Sequence, residues 1–284
     1  MPIVGFLGVE IRPIDLRHLG RERVICAWLA GDTIVDPGPS SCLDALLEGL
    51  DGFTPQALAL THIHLDHAGA AGSLVRRWPD LEVYVHERGA PHLADPHKLL
   101  ASATRLYGND MDRLWGEVAA VPGENLRVLR GGENACGLEV AYTPGHASPH
   151  VSYLERKSGV AFVGDVAGVR IPPSDYVLAP TPPPDIDLEL WHKSIALVRA
   201  WNPQRLALTH FGASDDVQRH LDRIGAELDR WAVVARDCEM DAFIAAQRAH
   251  IAAAIGPAQA EAFEQAAPPD QGWLGLARYW SSRP

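Results

Sequence analysis

The sequence is poor in what several protein classes require. Its 284 residues include only four cysteines, Cys26, Cys42, Cys136 and Cys238, without the paired spacing of a zinc ribbon or a redox motif. They read as small buried residues rather than a disulfide framework. Positive charge is short as well: 25 Lys and Arg stand against 36 Asp and Glu, a formal net charge of -11, and no basic block emerges. A phosphate backbone or an acidic membrane surface needs such a block, so nucleic acid and membrane are excluded as partners. No run approaches the roughly 20 apolar residues that cross a bilayer. The start, Met1-Pro2-Ile3-Val4-Gly5, lacks the positive leader of an export signal, which leaves a cytoplasmic location as the default. Repeats and low-complexity tracts are missing too. What remains, 47% hydrophobic and 21% charged residues, is an ordinary globular chain long enough for one large or two small domains.

The densest chemistry lies in Thr61-His62-Ile63-His64-Leu65-Asp66-His67. It follows the apolar run Ala57-Leu58-Ala59-Leu60, which reads as a short buried strand, and precedes a helix towards Trp78. A strand-to-helix loop lets side chains leave the scaffold and converge. Three imidazoles and a carboxylate within six residues match the ligands of a borderline divalent metal. If the extended geometry continues to His64, then His62 and His64 point to one side. The chain must turn past Leu65, so Asp66 and His67 face a second ion.

Taken in order, the chain begins as sheet over Ile3 to Leu16, Val24 to Leu29 and Thr33 to Val35, with a turn at Gly31-Asp32. Ser40 or Ser41 is the expected cap of a helix through Leu43, Leu46 and Leu47. Asp36, an acid ending a buried strand, is either an acceptor orienting a metal histidine or a turn residue. The strand Leu81 to His86 completes a strand, helix, strand unit, the sign of a mixed α/β sheet. Residues 87–121 turn helical, and Tyr107 and Trp115 there are candidates for a pocket wall. Further strands end in Pro144-Gly145-His146, in Gly164-Asp165 and in Thr209-His210. Four strand ends thus finish in His or Asp, and α/β sheets build sites where strand ends share a rim. Pro172 to Pro184 reads as an ordered loop over that rim or as a flexible linker, with Tyr176 and Phe211 near enough to touch substrate. Asp185 or Asp187 is expected to cap a helix over Ile186 to Trp201, and Ser214 a long helix after Gly212. More helices follow to Ala267, and Trp273, Leu276, Tyr279 and Trp280 anchor the end.

The ordered set His-x-His-x-Asp-His, Pro-Gly-His, Gly-Asp and Thr-His resembles the metallo-β-lactamase superfamily in its glyoxalase II-like branch, over about Val24 to Gly212. The resemblance implies an αβ/βα four-layer sandwich of two mixed β-sheets flanked by helices. It divides the chain into a catalytic domain, residues 1–212 with a helical insertion at about 87–121, and a C-terminal helical extension, 213–284, packed on it. It makes His62, His64 and His146 ligands of a first metal and Asp66, His67 and His210 ligands of a second, with Asp165 bridging. Asp36 falls on the acid of the family's Asp-x-Gly turn, while His150 stands where relatives carry a second, structural histidine.

Two divalent cations, zinc first with iron or manganese suited by the same donors, can hold a bridging hydroxide at about 3.5–4 Å separation and polarise a carbonyl. The expected activity is hydrolysis of a small-molecule ester, thioester, lactone or amide, with Asp66 as a proton carrier and Asp165 as the shared catalytic carboxylate. The basic and tyrosine residues with which glyoxalase II holds glutathione have no match in Ser214 to Ala267. The arm of the transfer-RNA processing relatives, the glutamate of the flavin-linked diiron relatives and the tyrosine of the quorum-lactone hydrolases are missing too. A mononuclear iron persulfide dioxygenase and a non-catalytic binding protein on the same fold are the competing readings. The apolar, tryptophan-bearing C-terminal helices suggest a homodimer.

Overall fold

The computed structural model describes residues 9–283. The chain runs β1 (Ile11–Asp15), β2 (Cys26–Ala30), β3 (Thr33–Val35), α1 (Leu43–Leu50), β4 (Ala57–Ala59), α2 (Leu65–Ala68), α3 (Ala71–Arg77) and β5 (Glu82–His86). Next come α4 (Ala90–Ala94), α5 (His97–Tyr107), α6 (Met111–Trp115), β6 (Leu126–Leu129), β7 (Asn134–Ala135), β8 (Leu138–Tyr142), β9 (Val151–Glu155) and β10 (Val160–Phe162). It closes with α7 (Leu188–Ala200), β11 (Arg205–Leu208), β12 (Gly212–Ser214), α8 (Val217–Asp237), α9 (Met240–Ile255), α10 (Pro257–Ala266) and α11 (Pro269–Ser281).

The strands form two six-stranded sheets, in the orders β1-β2-β3-β4-β5-β6 and β12-β11-β10-β9-β8-β7. Both are mixed: β3 to β6 run parallel beside an antiparallel β1-β2-β3, and β10 is parallel to β11 but antiparallel to β9. Alternation along the strands explains the layers. Cys26, Trp28 and Ala30 of β2 face Val151, Tyr153 and Phe162 of the other sheet, while Ala27 and Leu29 face the helices packed outside. A strand buried on both faces must be apolar at nearly every position, and β2 is. The αβ/βα sandwich expected from the sequence is therefore the fold. The outer core of the second sheet runs without a break from Leu154 through Trp191 of α7 and Trp231 of α8 to Tyr279 of α11.

The sheets are stitched together along one edge. The amide of Cys26 donates to the Thr209 carbonyl at 2.7 Å, that of Val151 to the Thr61 carbonyl at 2.7 Å, and the Tyr153 hydroxyl to the Leu60 carbonyl at 2.8 Å. The ends of β4, β9 and β11 are thereby held at one rim. Pro-Gly before His146 serves the same end: Gly145 has φ of +131°, and a Cβ there would lie 2.3 Å from the backbone of Trp191. Only glycine admits that turn and that approach.

Several local expectations are corrected. Ser214 does not cap α8, because it pairs with Leu206 in edge strand β12; Asp216 accepts the Arg219 amide instead. Neither Ser40 nor Ser41 caps α1. They sit in a 3-10 turn, their hydroxyls donating to the carbonyls of Gly69 and Leu114. Asp187, of the two aspartates considered, caps α7. The short β7 had no sequence signal, and the Ile3–Gly8 part of the first expected strand lies outside the described residues.

Candidate metal centre

The side chains at the stitched edge fall into two groups. In the first, the ligating atoms of His62, His64, His146 and Asp165 lie within 4.8 Å of one another, and those of Asp66, His67 and His210 form the second. His62 Nε2 is 2.9 Å from His64 Nδ1, which is 3.1 Å from His146 Nε2. Convergence of the His62 and His64 rings was expected from a continued strand. The strand in fact stops at Ala59, and the rings meet across the turn into α2. Asp165 joins the groups: its Oδ2 is 3.2 Å from His146 Nε2, and its Oδ1 is 3.3 Å from His67 Nε2 and 3.7 Å from His210 Nε2. Asp66 Oδ2 lies 3.2 Å from His210 Nε2.

Four of the five histidines are oriented from behind. His67 Nδ1 donates to Asp36 Oδ2 at 2.8 Å, His146 Nδ1 to the Pro180 carbonyl at 2.9 Å and His210 Nδ1 to the Val24 carbonyl at 2.8 Å. The Thr61 hydroxyl gives its proton to Asp36 and so accepts from His62 Nδ1 at 3.1 Å. With Nδ1 protonated, all four rings turn an Nε2 lone pair to the centre, the tautomer that ligation requires. Asp36, wholly buried, also accepts from the Thr61 amide and the Thr209 hydroxyl. It thereby holds the His67 ring from behind.

The buried edge has an uneven electrostatic pattern. Burial, aided by the neighbouring imidazoles, holds His62 well below the usual histidine range, and burial brings His146 down to about 4. Burial opposes charge on His67 and His210 as well, but Asp165 and Asp66 outweigh it and push both up. For Asp165 burial is again the largest influence and would raise its pKa, yet His67, His146 and His210 together hold it well below the carboxylate range. The carboxylates thus draw positive charge into the second group, where proton and cation compete. Among the described residues His67 Nε2, His210 Nε2 and Asp165 Oδ1 are fully buried without a hydrogen-bond partner. Buried polar atoms rarely stay unpaired. Three of them aimed into one space, with close-set imidazole lone pairs beside them, fit a pair of divalent cations.

Other residues divide. His150 stands behind the centre, stacked on His62 at 5.1 Å with Nδ1 against the Thr143 hydroxyl, outside both groups. Tyr107 and Trp115 line a pocket of about 200 Å³ whose floor is His64, Asp66 and Asp165. Tyr176 and Phe211 do not, which corrects both. The Tyr176 hydroxyl is drawn to Glu227 at 2.7 Å, and Phe211 packs between the sheets. Residues 178–184 roof the pocket as an ordered loop rather than a linker. Sequence reading missed its far wall, where Gln247 of α9 and Gln271 of α11 stand across the pocket from α5 and α6. It also missed the braces of the Asp165 turn: Trp191 Nε1 and His220 Nε2 donate to the carbonyls of Val166 and Ala167, each at 2.8 Å.

Residues 30–210 match the profile described as the Metallo-beta-lactamase superfamily. The chain is 37% identical over 118 residues to a probable metallo-hydrolase of Bacillus subtilis, 40% of this chain and 51% of that protein. It is 29% identical over 133 residues to a hydroxyacylglutathione hydrolase of Legionella pneumophila, 46% of this chain and 41% of that protein. The matched stretch thus spans about half the length of these curated relatives. A crystal structure of a metallo-beta-lactamase superfamily protein from Sulfolobus tokodaii superposes with a TM-score of 0.66 at 20% identity, covering 94% of this chain and 97% of that one; it bears on the fold alone.

Proposed function

Because the chain belongs to the metallo-beta-lactamase superfamily, we propose that it is a dinuclear metal-dependent hydrolase of a small-molecule ester, thioester, lactone or amide. The observation that carries this reading is the sharing of Asp165, whose two oxygens face the two donor groups separately. His62, His64 and His146 would hold one cation with Asp165, and Asp66, His67 and His210 the other. Bound there, two divalent cations would supply Lewis acidity and make water a nucleophile at neutral pH, so that no serine or cysteine is needed. Zinc is the metal we assign, and elemental analysis of the purified protein tests it against iron and manganese.

The protein's own groups do the rest. The roof loop with α5 and α6 lines the approach to the floor, and a substrate seated there would displace water and strengthen the charge interactions within it. Asp66 belongs to the second group and also lines the pocket. Its carboxylate takes the proton that the attacking water gives up and passes it to the leaving group, ending ionised as it began. Asp66→Asn is expected to retain part of the metal while kcat falls by about 100-fold; wild-type turnover in that variant would exclude the proton role.

A mononuclear iron persulfide dioxygenase would need only the first group, and the complete second group supports the hydrolase instead. The test is a panel of ester, thioester, lactone, amide and phosphoester substrates. Turnover of an acyl substrate is expected, abolished by chelation and restored by added zinc. Oxygen uptake with glutathione persulfide would transfer the reading to the dioxygenase, and no metal-dependent turnover of any substrate to a binding protein.

A further inference from the structure

Resting on the hydrolase reading above, we propose that the pocket takes an uncharged substrate whose apolar body carries one neutral hydrogen-bonding group, and that it rejects substrates whose tail ends in a carboxylate. Most of the wall is apolar: Leu99, Leu106 and Leu114 on one side, Leu178 and the prolines after it on the roof. Among the described residues no lysine or arginine lines it, and its only charged side chains, Asp66 and Asp165, belong to the floor.

The far wall offers amides instead. Gln271 accepts the Tyr107 hydroxyl through Oε1 at 3.2 Å, which leaves its Nε2 to donate. Gln265 is committed, its Nε2 donating to the His18 carbonyl at 2.9 Å. Gln247 is only 4% exposed as a residue and lines the pocket, and its amide is not among the fully buried unpaired side-chain atoms of the described residues, so it opens into the cavity. An amide that opens into a mostly apolar pocket is placed to meet a polar group on a ligand in exchange for water. It can donate and accept, as suits an amide, ketone or hydroxyl. A carboxylate brought to the same place would leave water and meet no cation, a cost that grows with burial. The two carboxylates of a glutathione thioester have nothing to hold them on this wall.

The test uses the zinc-loaded protein and three esters of one chromogenic leaving group, with tails of equal length: alkyl, amide-bearing and carboxylate-ended. The amide ester is expected to exceed the carboxylate ester in kcat/KM by on the order of 100-fold, with a hydroxyacylglutathione thioester at the low end. Gln247→Leu should lower kcat/KM for the amide ester about tenfold more than for the alkyl ester, mainly through KM; thermal melting and metal content check its fold. Equal or faster turnover of the carboxylate ester overturns the proposal. If none of the esters is hydrolysed, the hydrolase reading fails separately, and calorimetric titration of the matching non-hydrolysable ethers into wild type and Gln247→Arg decides this one. Tighter wild-type binding of the amide ether, with at least a tenfold gain for the carboxylate ether in the arginine variant, supports it. A wild-type preference for the carboxylate ether, or no gain in the variant, refutes it.

Discussion

Asp165→Asn lowers turnover by on the order of 1,000-fold and leaves fewer than two cations bound per chain. The size follows from position: several kcal/mol of Lewis-acid stabilisation depend on cation pairing, and each 1.36 kcal/mol is a factor of ten in rate. Asn keeps the volume and one oxygen but discards the charge that faces His67 and His146 at once. The backbone cannot shift to bring in another carboxylate, because Trp191 and His220 pin the carbonyls of the next two residues. Gly164 beside it is pressed as well, since a Cβ there would lie 2.6 Å from the Thr61 hydroxyl. Elemental analysis and kcat/KM on the same preparation make the check. A variant holding two cations and working within tenfold of wild type would remove Asp165 from the role of shared ligand, and the dinuclear reading with it.

How much of this was legible in the sequence depends on how local the determinants are. The histidine cluster was, because three rings and a carboxylate at fixed spacing after an apolar strand are a short-range pattern. Asp36 was half legible: its place at a strand end pointed to a partner, but Thr209, 173 residues away, could not be foreseen as one. The pocket wall was hidden for the same reason. Tyr107 meets Gln271 across 164 residues, and glutamines on amphipathic helices look like solvent-facing residues until the helices pack. Tyr176 was misplaced because a proline-rich loop beside a rim suggests a lid residue. A half-buried phenol needs a hydrogen-bond partner, and Glu227 on α8 offered one away from the floor. The misassigned cap of α8 arose where Ser214, Asp215 and Asp216 compete, and strand pairing claimed the first of them.

Asp36→Ala is expected to cost several kcal/mol, enough to leave little folded protein at 37 °C. The carboxylate is 0% exposed and accepts four hydrogen bonds, from the Thr61 amide, the Thr61 and Thr209 hydroxyls and His67 Nδ1, all between 2.7 and 2.8 Å. Alanine would strand all four donors, and a buried unpaired donor costs about 1–3 kcal/mol. Whole-domain stability is about 5–15 kcal/mol, so the loss is a large share of it. The backbone adds to the cost, because Asp36 sits at φ of +50°, a left-handed conformation that aspartate and asparagine tolerate and alanine does not. Asp36→Asn separates the two consequences. Asparagine keeps the turn and an acceptor oxygen, so the chain should fold with a melting temperature lower by roughly 5–10 °C. His67 would lose the anion that fixes its tautomer, and affinity for the second cation should fall by about 10–100-fold. Thermal melts and a chelator titration read these effects independently. An asparagine variant matching wild type in both would mean that the Thr61, Thr209 and His67 network holds without its central charge, and the orientation of the metal histidines would need another source.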